Sequence, residues 1–257
     1  MADYHEIAQG GNFVCKGREK CAEIDFFGAV WYNRGKRKHC CFLCNSETGV
    51  LKMQEALLNY KQKTLKRGQF WLPDDFSDVI PEMAEEFKRN FLIPRTTNTD
   101  FSPFRDRLGY ELPDEIKEYM SLYWHPCVDG AYDCMQQNEK GYYKFDDSIV
   151  LFSVMKNNNE SDDDVLFHKY GIIDLTEEWL KSCKEDAESQ PELAEFAKEA
   201  IDYIPIGWSG YYAYDILFRR STKKIYLGAD SADRFVCEEP IANSLPELIN
   251  GLYFYNH

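Results

Sequence analysis

Apolar and polar positions change period along the chain, and each change marks an element. The clearest run lies between Ile204 and Cys237. It reads Ile-Pro-Ile-Gly-Trp-Ser-Gly-Tyr-Tyr-Ala-Tyr-Asp-Ile-Leu-Phe, then a polar turn Arg-Arg-Ser-Thr-Lys-Lys, then Ile-Tyr-Leu-Gly and, after a short gap, Arg-Phe-Val-Cys. Aromatic and β-branched runs split by short polar turns predict consecutive paired strands. Tyr212, Tyr214, Ile216 and Phe218 alternate with Tyr211, Ala213, Asp215 and Leu217. Both sets are largely apolar, so this strand is expected to be central and covered on both faces.

Elsewhere the period is helical. A helix is predicted from Val50 to about Gln62, with Leu51, Ala56, Leu57, Leu58 and Tyr60 apolar and Thr48 as its cap. Pro81 to Phe91 forms a second, with Met83, Ala84, Phe87 and Phe91 on one side. Pro113 opens a third, whose Leu112, Ile116, Tyr119, Met120 and Tyr123 follow the 3.6-residue repeat. Asp174 with Glu177, and Ser189-Gln-Pro-Glu192, start two more, and Ser244-Leu-Pro-Glu247 caps a last one. Ile93 to Phe104 reads as loop and His125 to Gly141 as turn-rich. Ser148 to Met155 reads as a strand paired with Val165 to Ile173 across the polar segment 157–164. Strands and helices do not alternate regularly. The fold class expected is therefore α+β: a twisted, mostly antiparallel sheet flanked by helices, with a small cysteine-rich module in front of it.

Charge divides the chain the same way. The first 70 residues carry a net charge of +5 and the rest −19, against −14 overall. Two parts are expected, a cysteine-rich module over 1–65 and an α+β domain over 66–257. The acidic body disfavours nucleic acid and favours a basic protein partner. No apolar run approaches the roughly 18 residues of a membrane span, and no secretory leader pattern opens the sequence. A cytoplasmic protein is expected, whose nine cysteines are thiols or metal ligands.

Two stretches carry a family resemblance. One is Leu108-Gly-Tyr-Glu-Leu-Pro-Asp-Glu-Ile-Lys-Glu-Tyr-Met120. The other is the run from Ile204 to Leu227, with Ile241-Ala-Asn-Ser-Leu-Pro-Glu-Leu-Ile249 following at the expected distance. Over residues 100–254 the chain resembles the SUKH superfamily, which groups the SecY-interacting protein Syd, fungal cell-wall-assembly regulators and bacterial immunity proteins. The resemblance implies an α+β domain that acts by binding other proteins and has no catalytic residues. It points to an immunity protein that neutralises a toxin, a nuclease among the candidates. A Syd-like partner of the translocation channel is the alternative, with any membrane contact made through that partner. A rival of another class is an enzyme or nucleic-acid-binding protein built on the N-terminal module.

That module has its own candidate chemistry. Cys15, Cys21, Cys41 and Cys44, with Cys40 or His39 as alternates, are soft ligands suited to one tetrahedral, structural zinc. Cys41 and Cys44 have knuckle spacing, while Cys15 and Cys21 are wider apart. The alternative is separate thiols in a small sheet around residues 28–32. The basic run Arg34–Lys38 is a phosphate contact or an exposed turn. In the body, Gly207-Trp-Ser-Gly-Tyr lacks the second glycine of a nucleophile elbow, and Gly207 and Gly210 read as turn glycines. His125 and Cys127 are two apart, but Pro126 between them fixes the local bend, and they are not expected to form a catalytic pair. The partner face is expected to combine Trp124, Trp208 and Tyr211 with Asp133, Glu139, Asp146 and Asp147, because aromatic anchors ringed by carboxylates suit a basic protein.

Overall fold

The run between Ile204 and Leu227 folds into three consecutive antiparallel strands: β8 (Tyr203–Ser209), β9 (Asp215–Arg219) and β10 (Ile225–Leu227). The computed structural model describes residues 21–24, 29–34, 37–42, 52–67, 81–138, 141–155, 171–210, 214–229 and 235–254, with the strands within 21–42 and residues 135–138 and 141–146 described by their backbone. The chain falls into two compact units, Met1–Val50 and Leu51–His257. In the first, β1 (Cys21–Ile24), β2 (Ala29–Arg34) and β3 (Arg37–Phe42) form an antiparallel sheet in that order. Cys21 and His39 both lie opposite Tyr32, and Cys41 lies opposite Val30.

The second unit is α+β, a curled five-stranded antiparallel sheet flanked by helices. Its order is β10-β9-β8-β7-β6, with β6 at Val128–Asn138 and β7 at Gly141–Leu151. The alternation in β9 behaves as the sequence predicts. Ile216 and Phe218 enter the main core, Leu217 enters a second cluster, and all three are fully buried. Each such side chain contributes roughly 1.5–3 kcal/mol of transfer free energy, so β9 is a strong organiser of both layers.

On the main-core side pack α1 (Met53–Arg67), α2 (Pro81–Asn90), α4 (Asp114–Leu122) and α7 (Leu245–Gly251). Helix α1 buries Met53, Ala56, Leu57, Tyr60 and Thr64, the spacing of one helical face. The Lys63 ammonium donates to the carbonyls of Asn250 and Leu252 at the end of α7, where the helix dipole favours a cation. These contacts place α1 in the second unit, whereas the sequence predicts that residues up to 65 belong to the N-terminal module. Ser244 caps α7 as expected, accepting from the Glu247 amide at 3.2 Å.

Three further expectations are corrected. The segment from Val128 is a long strand, because β6 finds a partner in every residue of β7. The partners of β7 are β6 and β8; of the predicted partner, residues 165–170 lie outside the described residues. Ile172 and Ile173 are buried at the start of α5 (Ile172–Ser189). The predicted loop after residue 93 contains a two-residue strand, β4 (Ile93–Pro94), paired with β5 (Tyr123–Trp124), and then α3 (Ser102–Leu108). Among the described residues no helix is long and apolar enough to cross a membrane.

Candidate functional site

Of the residues expected to form one partner face, two are buried. Trp124 is buried, and the Arg95 guanidinium lies 3.9 Å from its ring centroid. Asp147 is buried as well: one carboxylate oxygen accepts the Ser209 hydroxyl at 2.6 Å and the other the Ser148 amide at 2.7 Å. A buried carboxylate needs such donors, and with them Asp147 ties β7 to β8 rather than facing solvent. Trp208 is half-buried in β8, opposite Val150 and Asp215. Asp133 is exposed, accepts from the Tyr253 hydroxyl at 3.1 Å and lies opposite Asp146 in the β6–β7 ladder. Glu139 and Tyr211 lie outside the described residues, as do Cys15 and Cys44 of the proposed zinc set.

An aromatic floor with carboxylates at its edge does exist, made of other residues. On the opposite face of the sheet from the main core, α5 and the short helix α6 (Ala194–Glu199) cover β8, β9 and β10. Trp179 fixes this layer, its indole N–H donating to the Ala200 carbonyl at 3.2 Å. Between α6 and the strands opens a cleft of about 340 Å³. Phe196, Tyr203, Tyr226 and Val236 form its apolar lining, Glu195, Glu199 and Glu238 supply carboxylates, and Arg219 and Cys237 complete it.

Local structure explains the assembly. Glu195 and Glu199 are one turn apart on α6 and so share a face. Tyr203 and Arg219 are direct cross-strand partners, which brings the guanidinium carbon to 5.2 Å from the Tyr203 ring centroid. Leu217 and Tyr226 are the next such pair toward the sheet edge. Phe196 stacks on Tyr203 at 5.8 Å with an interplanar angle of 27°, and Tyr226 meets Tyr203 edge-on at 6.0 Å.

The electrostatics centre on Arg219. Its Nε donates to Asp202 at 2.8 Å and its Nη2 lies 3.7 Å from Glu199. The Asp202 bond raises the arginine's pKa further above its ordinary value. For Asp202 itself, burial pushes the carboxyl up. The Ser221 hydroxyl and amide together with Arg219 outweigh that and hold it below its usual range. Burial raises the Tyr203 phenol, so that ring remains neutral. The arrangement is suited to holding a cation against aromatic surface.

The sequence contains half of this site in legible form. The Glu195-x-x-x-Glu199 spacing is visible beside Phe196, but only the sheet register shows that Tyr203, Arg219 and Tyr226 lie beneath it. No family model matches the chain, and no curated protein or solved structure matches it either.

Proposed function

We propose that this chain is a non-enzymatic, SUKH-like binding protein that captures a basic protein partner on the acidic surface of its second unit. A toxin domain of the nuclease kind is the partner whose phosphate-binding, positively charged surface fits best. The observation that carries this is the cleft, with three glutamates around an aromatic lining in a unit of 38 acidic against 23 basic residues, a net charge of −15. A net negative charge of this size speeds encounter with a basic partner and disfavours acidic ones. The α+β architecture agrees with what the resemblance to the SUKH superfamily implies.

Charge reversal tests this. Glu195→Lys, Glu199→Lys and Glu238→Lys combined are expected to weaken partner capture by about 10²-fold, and rising salt is expected to weaken capture by the native chain. The measurement is affinity capture followed by mass spectrometry, with the recovered partner then titrated against both proteins at low and high salt. A partner bound equally by the two proteins overturns the assignment.

For the first unit we propose one structural zinc, drawn from Cys15, Cys21, Cys41 and Cys44 with His39 or Cys40 as alternates. The proposal rests on the ligand types and on the knuckle spacing of Cys41 and Cys44 in the sequence. Metal analysis of the purified chain is expected to give one zinc per molecule; a content far below that removes the proposal.

A further inference from the structure

The cleft already holds one cation, and it belongs to the chain. Arg219 lies against the Tyr203 ring and is held by two carboxylates that differ in kind. Asp202 is only 24% exposed and also accepts the Ser221 amide and hydroxyl, so its place is fixed. Glu199 is 61% exposed and stands off at 3.7 Å. Glu195 is paired only locally, with Lys198 three residues on, and both side chains are largely exposed. Exposed pairs of this sort are weak and exchange partners at little cost. Phe196, half-buried, is more accessible than Tyr203 and Tyr226.

We propose that the cleft receives an arginine side chain of the partner. Glu199 turns from Arg219 to the incoming guanidinium, and Glu195 and Glu238 add negative charge beside it. This rests on the binding role given above and names the side chain that the role requires. A guanidinium fits better than an ammonium for two reasons. Its planar fork meets a carboxylate with two hydrogen bonds, and its face lies on an aromatic ring with less loss of hydration. Arg219 displays the second of these contacts inside the same cleft. It follows that Arg219 competes with the partner for Glu199: it is an internal occupant that lowers the affinity of the cleft for an external arginine.

The probes are two peptides, acetyl-Gly-Arg-Gly-Arg-Gly-amide and its lysine counterpart, titrated calorimetrically into the full chain at low salt. The arginine peptide is expected to bind about fivefold tighter than the lysine peptide, and Arg219→Gln to tighten it by about the same factor. Glu199→Gln is expected to weaken it by a similar factor. If Arg219→Gln fails to fold, Arg219→Lys and the exposed-site variant Glu238→Gln serve instead. The first is expected to bind the arginine peptide more tightly than the native chain, the second more weakly. Equal affinity for the two peptides, no binding of either, or weaker binding by Arg219→Gln or Arg219→Lys overturns the inference. If salt-sensitive capture of a basic partner persists through such a result, the binding role stands and only the arginine assignment falls.

Discussion

Gly207→Ala is expected to prevent the second unit from folding, or to cost it more than about 4 kcal/mol, a loss seen only when something buried must give way. The glycine sits inside β8 opposite Leu151, next to a register shift between Pro205 and Gly207. A methyl group there would overlap the Val150 carbonyl oxygen and lie 2.8 Å from the Leu151 Cα. Both atoms are backbone in a paired central strand, so neither can rotate aside. The control is Gly109→Ala, at the C-terminal end of α3. That residue has φ +81° but nothing within 4 Å of a new Cβ, so the expected cost is only the left-handed strain, about 1 kcal/mol. Urea denaturation of the two variants measures the contrast. A Gly207→Ala protein as stable as Gly109→Ala would mean that β7 and β8 do not pack this closely.

The second large effect is acid destabilisation through His125. This imidazole is fully buried, bridges by its backbone to Val154, and has its ring 4.8 Å from that of Tyr119. Burial is the main cause that depresses its pKa from 6.5 to about 4. Arg95 pushes the same way, and the backbone contacts with Pro126 and Tyr119 oppose it. The folded state therefore prefers the neutral ring. Its contribution is complete above pH 6.5, where both states are neutral, and is lost as pH falls from 6.5 toward 4 because only the unfolded chain takes the proton. Between pH 7.5 and pH 5 the loss is about 2 kcal/mol. Burial raises the pKa of Asp129 and Glu115, and these carboxyls act with the opposite sign, favouring the fold as pH falls. The decisive quantity is thus the difference in pH slope between the native chain and His125→Gln, read from urea midpoints at the two pH values. Parallel slopes would remove His125 as the cause.

The β9 strand shows how much periodicity can carry. Ile216, Leu217 and Phe218 alternate in sequence and divide between two cores in the fold, because a strand's side chains point to alternate faces whatever surrounds it. Helices α2, α4 and α7 were legible for a similar local reason: proline at the first turn, an acidic start or a serine cap, then one apolar face. The strand β6 was not legible. Val128-Asp-Gly-Ala-Tyr-Asp-Cys mixes turn residues with apolar ones, and its extended form is settled by a full-length ladder with β7. Nor could Gly207 be placed from sequence. A glycine flanked by Trp-Ser-Gly reads as a turn, and only the close approach of β7 makes it an interior strand residue.

The amino-acid sequence alone determined the α+β class, the two-faced burial of β9, the helices that announce themselves by caps and period, and the charge split between a basic start and an acidic body. Those are local or additive properties, readable from neighbours within one turn or one strand. Tertiary structure alone decided which charged groups face water. It buried Asp147 under Ser209 and Trp124 under Arg95, and it gathered Glu195, Phe196, Tyr203, Arg219, Tyr226 and Glu238 from α6, three strands and the segment after them into one cleft. The reason is that burial and convergence depend on strand register and on which helix covers which face, and these are set by contacts between residues far apart in the chain.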